Sequence, residues 1–434
     1  MSSRRIAVIG SGVAGLTAGY ILARTDDVTL FEADGRIGGH AHTHQIPLPD
    51  GRELAIDTGF IVHNQRTYPL LTRLFTELGV TTQESEMSMS VRCAGCGLQY
   101  AGQRGPRGLL AGVRRGRGRY VRMLAEVLRF HRGARALIGA DSGAGNAAAG
   151  NSAAGNSRAD ITLGEFLAEG GYSPYFVTHF ATPFVAAVWS CAPQTALSYP
   201  ARYLFSFLGQ HGLLSVTGSP PWRTVTGGSR SYVERVAKQL PAVRTGAQVR
   251  AVRRFPGGAE IRHGQDQAEQ FDAVVIATHP DQALRLLADP TSAERRVLGA
   301  FRYAPNATVL HTDASFIPAS RAVRASWNYA LPSCLAAAAQ VQVSYYMNRL
   351  QRLAASQDYI VTLNAAGQIS PEHVLATMDY QHPIYDRASV AAQRLLPDLN
   401  DGVTAYAGAY HGWGFHEDGC RSGVAAAQSL GRRW

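Results

Sequence analysis

Six residues near the N-terminus, Gly10-Ser11-Gly12-Val13-Ala14-Gly15, constrain this chain more than any other feature. They follow an apolar run, Ile6–Ile9, and open a helix-like stretch that reaches Arg24. In that context each glycine has a separate task. The first makes a tight turn, the second lets the backbone approach a pyrophosphate, and the third lets the helix lie close on the strand. The helix N-terminus then offers N–H groups and the positive end of its dipole to the phosphates. The next strand pattern, Val28–Glu32, ends in an acid whose carboxylate can accept hydrogen bonds from both hydroxyls of an adenosine ribose. The start of the chain therefore reads as a Rossmann-like dinucleotide-binding unit.

Length and composition say what surrounds it. At roughly 150 residues per domain, 434 residues imply two or three domains. With 46% hydrophobic and 17% charged residues the profile is globular. No charge-free run of about 18 apolar residues is present, so no spanning helix is expected. The N-terminus runs almost directly into a strand pattern without a signal-peptide core, which points to the cytoplasm. Five cysteines, odd in number and sparse, imply no disulfide framework. Cys93-Ala-Gly-Cys96 has redox or half-zinc-site spacing, but no second such pair exists. It is read as a tight turn between strands, and no metal ligand is assigned. The net charge is +10, and Lys238 is the only lysine among 42 basic residues.

Helix patterns are expected at Tyr68–Leu78 and Ser231–Leu240, a buried strand at Phe271–Thr278, and a strand-rich part over 301–395. Val403 to Leu430 repeats the order strand, Gly-rich turn, helix. The two ends of the chain thus share one architecture, interrupted by inserted segments. Residues 139–158, with a recurring Gly-Asn pair, read as a flexible surface loop.

A second Gly-rich run makes the reading specific. Ala33-Asp-Gly-Arg36-Ile-Gly38-Gly39-His40-Ala-His42-Thr43 resembles the extended FAD-binding signature of the amine-oxidase and protoporphyrinogen-oxidase superfamily. Asp57-Thr58-Gly59-Phe60 resembles that superfamily's turn beside the pyrophosphate and flavin. Gly227-Gly228-Ser229 resembles its turn before a helix, Ala247–Val249 its short strand beside adenine, and Phe271–Thr278 its closing strand. Gly408 and the run Gly414–Gly423 resemble the C-terminal motif, where a helix N-terminus faces the flavin. Taken together, Gly38–Thr43, Asp57–Asn64, Trp222–Val233, Ala277–Leu284, Tyr345–Gln351 and Tyr410–Gly419 resemble a narrower set. That set is a bacterial group of NAD/FAD-binding oxidoreductases associated with cyclopropane-fatty-acid-synthase-like methyltransferases, near flavin-dependent desaturases of methylated lipids.

The resemblance implies an α/β fold, a Rossmann-like FAD domain of the glutathione-reductase-like, amine-oxidase type with an interleaved α+β substrate domain. The FAD domain is expected over 1–85, 216–300 and 396–434, and the substrate domain over 86–215 and 301–395. The cofactor is FAD. Its expected binding residues are Gly10, Ser11, Gly12, Val13, Ala14, Gly15, Glu32, Ala33, Arg36, Gly38, Gly39, His40, Thr43, Thr58, Gly59, Phe60, Val249, Ala277, Gly408, Phe415, His416 and Glu417. The activity it implies is dehydrogenation of an apolar substrate, such as a methylated or unsaturated fatty acyl chain of a phospholipid. A soluble amine oxidase and a flavin-binding accessory subunit of a lipid methyltransferase are the alternatives, and that methyltransferase is the protein partner considered.

Some residues read two ways. His416 is the candidate acid or base; packing around the flavin ring is its other reading. His40, His42 and His44 alternate as on one strand face, yet flavin binding already accounts for the segment. Tyr410 stands where the superfamily often has an acid, and Lys238 does not match the lysine many amine oxidases hold beside the flavin. Thr182–Cys191, Tyr199–Leu214 and Tyr345–Asn348 suit either walls for a lipid chain or ordinary core. On a helix through 117–135, Arg122, Arg129 and Arg132 group on one side and Val121, Leu124 and Leu128 on the other. Such a helix fits either a solvated surface or contact with an anionic membrane at its inner face. No nucleic-acid module is recognised, so nucleic acid is not an expected partner.

Overall fold

The computed structural model describes residues 3–114, 117–139, 161–215, 218–334 and 341–434. All but the first residue of the loop expected over 139–158 lies outside them. The described chain divides into two compact units, one of residues 1–83, 223–302 and 388–434, the other of 84–222 and 303–387. The borders expected from sequence stood at 85, 215, 300 and 395.

The first unit is built on a five-stranded sheet ordered Thr404–Tyr406, Ala273–Ile276, Arg5–Ile9, Asp27–Phe31 and Ala242–Arg244. Every pairing in it is parallel. A parallel sheet carries its crossovers on both faces, so its strands are apolar throughout. Ile6, Ala7, Val8, Val274, Val275, Ile276 and Ala405 are accordingly buried. The first helix, Val13–Leu22, and the last, His416–Ser429, pack on each other through glycines. A Cβ on Gly423 would lie 2.4 Å from the Ala14 carbonyl oxygen, and one on Gly419 would lie 2.6 Å from Val13 Cγ1. Hydrogen at these two positions is what lets the helices approach. The helices expected after Tyr68 and near Ser231 occur at Pro69–Glu77 and Arg230–Ala237. The short strand expected over Ala247–Val249 begins only at Val249 and runs to Phe255.

The second unit centres on a seven-stranded sheet ordered Val374–Ile384, Arg302–His311, Ile360–Leu363, Val343–Tyr346, Trp327–Leu331, Met89–Cys93 and Gln99–Gly102. Trp327–Leu331 and Met89–Cys93 run parallel, while their outer neighbours are antiparallel. A helical part joins it. The longest helix, Arg117–Gly139, buries Tyr120, Met123, Phe130 and Ala134, four residues on one stripe of a 3.6-residue period. Phe130 meets Phe176 and Phe205 at ring-centroid distances of 5.7 and 5.4 Å. The sequence grouped Val121, Leu124 and Leu128 on one side of this helix and left open what that side faces. Val121 and Leu128 are each 52% exposed, because the aromatic stripe wins the inward face.

Candidate functional site

The first unit carries the site. Gly10 takes a left-handed φ of 101°, and a Cβ there would sit 2.7 Å from the Ala277 carbonyl oxygen. A Cβ on Gly15 would lie 1.9 Å from the Gly10 carbonyl oxygen. Ala277 thus lies beneath the turn, its N–H donating to Ile9 at 2.8 Å. Gly12 differs from both: a Cβ there would meet nothing within 4 Å. Two of the glycines are therefore required by the protein's own packing, while the middle one leaves space at the N-terminus of the helix, where an anion belongs.

The second glycine pair docks on the first turn. The Gly38 N–H donates to Ser11 Oγ at 2.9 Å and to the Ser11 carbonyl at 3.1 Å. A Cβ on Gly39 would come within 3.1 Å of Gly12 Cα. Glu32 accepts the Ser11 N–H and the Asp34 N–H, both at 3.0 Å, and the Ser11 hydroxyl. A carboxylate has about four acceptor positions, so Oε1 keeps capacity for a ribose hydroxyl. Ala247 and Gly246 donate to the carbonyls of Glu32 and Asp34, each at 2.9 Å, which brings the approach to Val249 beside Ala33.

A third layer braces the second. The Phe60 N–H donates to the His40 carbonyl at 2.8 Å and the Thr58 N–H to the His42 carbonyl at 2.9 Å. A Cβ on Gly59 would strike His40. Asp57 is the anchor that the sequence reading missed. Its carboxylate accepts the Thr43 hydroxyl at 2.6 Å and the Ser229 N–H and hydroxyl at 2.9 and 2.8 Å. Burial outweighs these bonds and pushes its pKa up to about 6. Asp57 and Ser229 lie 172 residues apart, so only their separate motifs were visible in the chain.

The C-terminal motif closes the arrangement. The Gly408 N–H donates to Ser422 Oγ at 2.8 Å, and the Phe415 N–H to Asp418 Oδ2 at 3.0 Å. Glu417 accepts the N–H groups of Leu70 and Leu71, both at 3.0 Å, and so is an anchor for another helix. His416 stacks on Phe60 with ring centroids 3.7 Å apart and planes 12° apart. Its Nε2 lies 3.1 Å from the Tyr232 hydroxyl. Burial, with repulsion from His63, pulls its pKa down to about 3, so the ring is neutral near pH 7. An imidazole with one nitrogen already engaged and so low a proton affinity is a weak base; the geometry favours its packing role.

Two further expectations resolve here. His42 and His44 have ring centroids 4.1 Å apart, and burial and repulsion from Arg36 pull His42 down to about 3 and lower His44 as well. A guanidinium beside them is a poor neighbour for a metal ion. Lys238 is exposed, just beyond the helix Arg230–Ala237.

The residues fit a dinucleotide on observations of the protein itself: the open Gly12, the spare acceptor on Glu32, and a buried Arg36 Nη1 without a hydrogen-bond partner. A buried N–H donor of that kind is costly unless an acceptor meets it.

Known proteins agree. Residues 13–322 match the family described as flavin containing amine oxidoreductase. Protoporphyrinogen oxidase 2, chloroplastic/mitochondrial, of Arabidopsis thaliana is 58% identical over 40 residues, 9% of this chain and 8% of its own. The chain thus spans a small fraction of its curated relatives, 6% and 8% of their lengths. Among solved structures, a putrescine oxidase bound to putrescine superposes with a TM-score of 0.68 at 17% identity, over 99% of both chains. A fatty acid isomerase from P. acnes that produces CLA gives 0.65 at 17% identity, over 97% of both.

Proposed function

Because the chain belongs to the family of flavin-containing amine oxidoreductases and holds FAD, we propose that it dehydrogenates a methylated or unsaturated fatty acyl chain of a phospholipid. One observation carries this choice of substrate. Of the large hydrophobic side chains exposed among the described residues, Leu109, Leu110, Val121 and Leu128 fall within one short stretch of the second unit. Exposed arginines stand among them, Arg107, Arg119, Arg122, Arg129 and Arg132. Apolar side chains rimmed by cations suit an anionic lipid surface better than water. The likeness to a fatty acid isomerase supports the same reading.

When bound, FAD would supply a two-electron acceptor for the hydride of one substrate C–H bond, and the adjacent carbon would lose its proton to water. This chain's residues do the rest. Gly12, Gly39 and Arg36 would receive the pyrophosphate, and Glu32 would receive the adenosine ribose. Phe60 and His416 form a stacked, uncharged pair that would pack beside the cofactor rather than take up a proton. Most of the segments suited to a lipid chain turn out to be core: Trp189, Tyr199, Phe205 and Phe207 are buried. Phe180, Phe184, Tyr203 and Tyr345 are half-buried and remain the candidate wall.

Amine oxidation is the second reading, favoured by the likeness to putrescine oxidase. Anaerobic bleaching of the bound flavin separates the two. Extracted phospholipids with unsaturated or methylated chains are expected to bleach it and to gain a double bond by mass spectrometry. Bleaching by amines and not by lipid assigns amine oxidation. Bleaching by lipid only when a lipid methyltransferase is added assigns an accessory role.

A further inference from the structure

The turn Cys93–Cys96 does more than join two strands. Cys93 ends the strand Met89–Cys93, and the Gly97 N–H closes the turn on its carbonyl at 3.0 Å. The neighbouring parallel strand places Leu331 opposite Cys93, and the Ala94 N–H donates to Leu331 at 2.8 Å. The chain leaving Leu331 therefore passes directly over the turn. A Cβ on Gly95 would lie 3.0 Å from the Cys334 nitrogen and 3.1 Å from Ser333 Cα, so the glycine permits that approach. From a third direction comes His179, buried in the π-helical turn Val177–Ala181. Such turns are over-represented at functional sites. The Tyr100 hydroxyl donates to the His179 carbonyl at 2.8 Å and fixes this turn against the strand Gln99–Gly102.

The ligand atoms converge. Cys93 Sγ and Cys334 Sγ are 3.6 Å apart, and Cys96 Sγ and His179 Nε2 are 3.5 Å apart. All four atoms lie within 4.8 Å of one another. A tetrahedral zinc with sulfur at about 2.3 Å and nitrogen at about 2.0 Å sets S···S and S···N edges of about 3.8 and 3.5 Å. His179 Nδ1 sits 3.0 Å from the Tyr175 carbonyl. A carbonyl accepts only from a protonated nitrogen, which leaves the lone pair on Nε2, the nitrogen that faces Cys96. Orientation of a metal-binding histidine by such a bond is the usual outer-shell device.

We propose that Cys93, Cys96, His179 and Cys334 bind a structural zinc ion. Three sulfurs and one imidazole select zinc over hard cations, and four protein ligands leave no open position for chemistry. On binding, each thiol releases its proton to solvent, one bond forms from each sulfur and one from Nε2, and no electrons are exchanged. The ion ties together three parts of the second unit that are remote in sequence. It is independent of the reading of the flavin site. The sequence spacing showed half of it; the other half lies 83 residues beyond Cys96 and 241 beyond Cys93.

The full-length protein is purified with a reductant, equilibrated with zinc, desalted, and its metal measured by mass spectrometry. One zinc per chain is expected. Cobalt in its place is expected to give the intense visible bands and near-ultraviolet thiolate charge transfer of a tetrahedral site. Cys96→Ser and His179→Ala are each expected to lose the metal while FAD content is retained. If these variants do not fold, the cobalt spectrum of the unaltered chain decides. Absence of zinc together with an octahedral or missing cobalt spectrum overturns the proposal. So does unchanged zinc content in both variants, or a Cys93–Cys334 disulfide recovered by peptide mapping from zinc-supplemented protein.

Discussion

Glycines that look alike in sequence have different employers. Gly15 answers to the Gly10 carbonyl, 1.9 Å from where its Cβ would sit, whereas Gly12 answers to nothing in the protein. Gly15→Ala is therefore expected to lower stability without ligand, by about 1–3 kcal/mol for an overpacked contact. Gly12→Ala is expected to leave the melting temperature of the FAD-free protein unchanged and to abolish FAD retention. Thermal melts with and without FAD test both; a stable Gly15→Ala, or a Gly12→Ala that stays yellow, contradicts the division. The histidines make a second case. Burial pulls His416 to about 3 and His63 and His411 to about 4. In each the folded protein binds the proton more weakly than the unfolded chain does. Their contribution to stability is complete above the unfolded value of about 6.5 and falls as pH drops toward 4. Urea melts between pH 7 and 4 should show this loss, and His416→Phe should make it smaller. In the same pH range the kcat/KM profile of His416→Asn should keep the limbs of the unaltered protein, because a group near 3 does not titrate there. Loss of one limb restores His416 as the base.

At the scale of elements, the contact between the first and last helices sets the site, because their N-terminal turns carry Gly12 and Phe415. Gly423→Ala would press a methyl against the Ala14 carbonyl, 2.4 Å away. It is expected to cost about 1–3 kcal/mol and to weaken FAD retention. Gly118, in the long helix, has nothing within 4 Å of its Cβ position, so Gly118→Ala should be neutral or stabilise by up to about 1 kcal/mol. Equal effects of the two changes, read by denaturant melts, would refute the packing argument. The elements also show what a sequence discloses. The glycine motifs were legible because a tight turn and a close approach leave no other residue type. The strand Ala273–Ile276 was legible because a strand covered on both faces is apolar without interruption. The inward face of the helix Arg117–Gly139 was not legible, because Val121 and Leu128 match a helical period as well as Met123 and Phe130 do. Only the ring cluster around Phe130 selects between the two stripes. Asp57 with Ser229, and Cys93 with Cys334, stayed hidden for a different reason: tertiary packing creates those pairs, and no local pattern encodes it.

For the molecule as a whole, the net charge of +10 and the exposed Leu109, Leu110, Val121 and Leu128 bear on one question, whether the protein works at a lipid surface. Among the described residues no helix is long and apolar enough to cross a membrane, so contact of this kind would be peripheral. Leu110 is 59% exposed and Val121 and Leu128 are 52% exposed; Val121 and Leu128 lie two turns apart on one helix face. The Tyr120 hydroxyl donates to the Leu109 carbonyl at 2.9 Å, which holds the preceding segment against that helix. Charge brings such a surface to an anionic bilayer, and side chains entering the interface hold it there. The two contributions separate experimentally. Co-sedimentation with vesicles of anionic phospholipid is expected at low salt and with vesicles of neutral phospholipid is not. At about 1 M salt the screening length falls to about 3 Å, and binding by charge is lost. Replacing Leu110, Val121 and Leu128 together with serine leaves the net charge unchanged. At about 1 kcal/mol for each side chain withdrawn from the interface, the triple variant should bind anionic vesicles about a hundredfold more weakly. It should still reduce its FAD with a soluble, short-chain acyl substrate, since all three side chains are exposed on the second unit. If the triple variant sediments like the unaltered protein, the attraction is electrostatic alone. If neither form sediments at low salt, these exposed side chains serve something other than lipid, and the acyl substrate loses its main support.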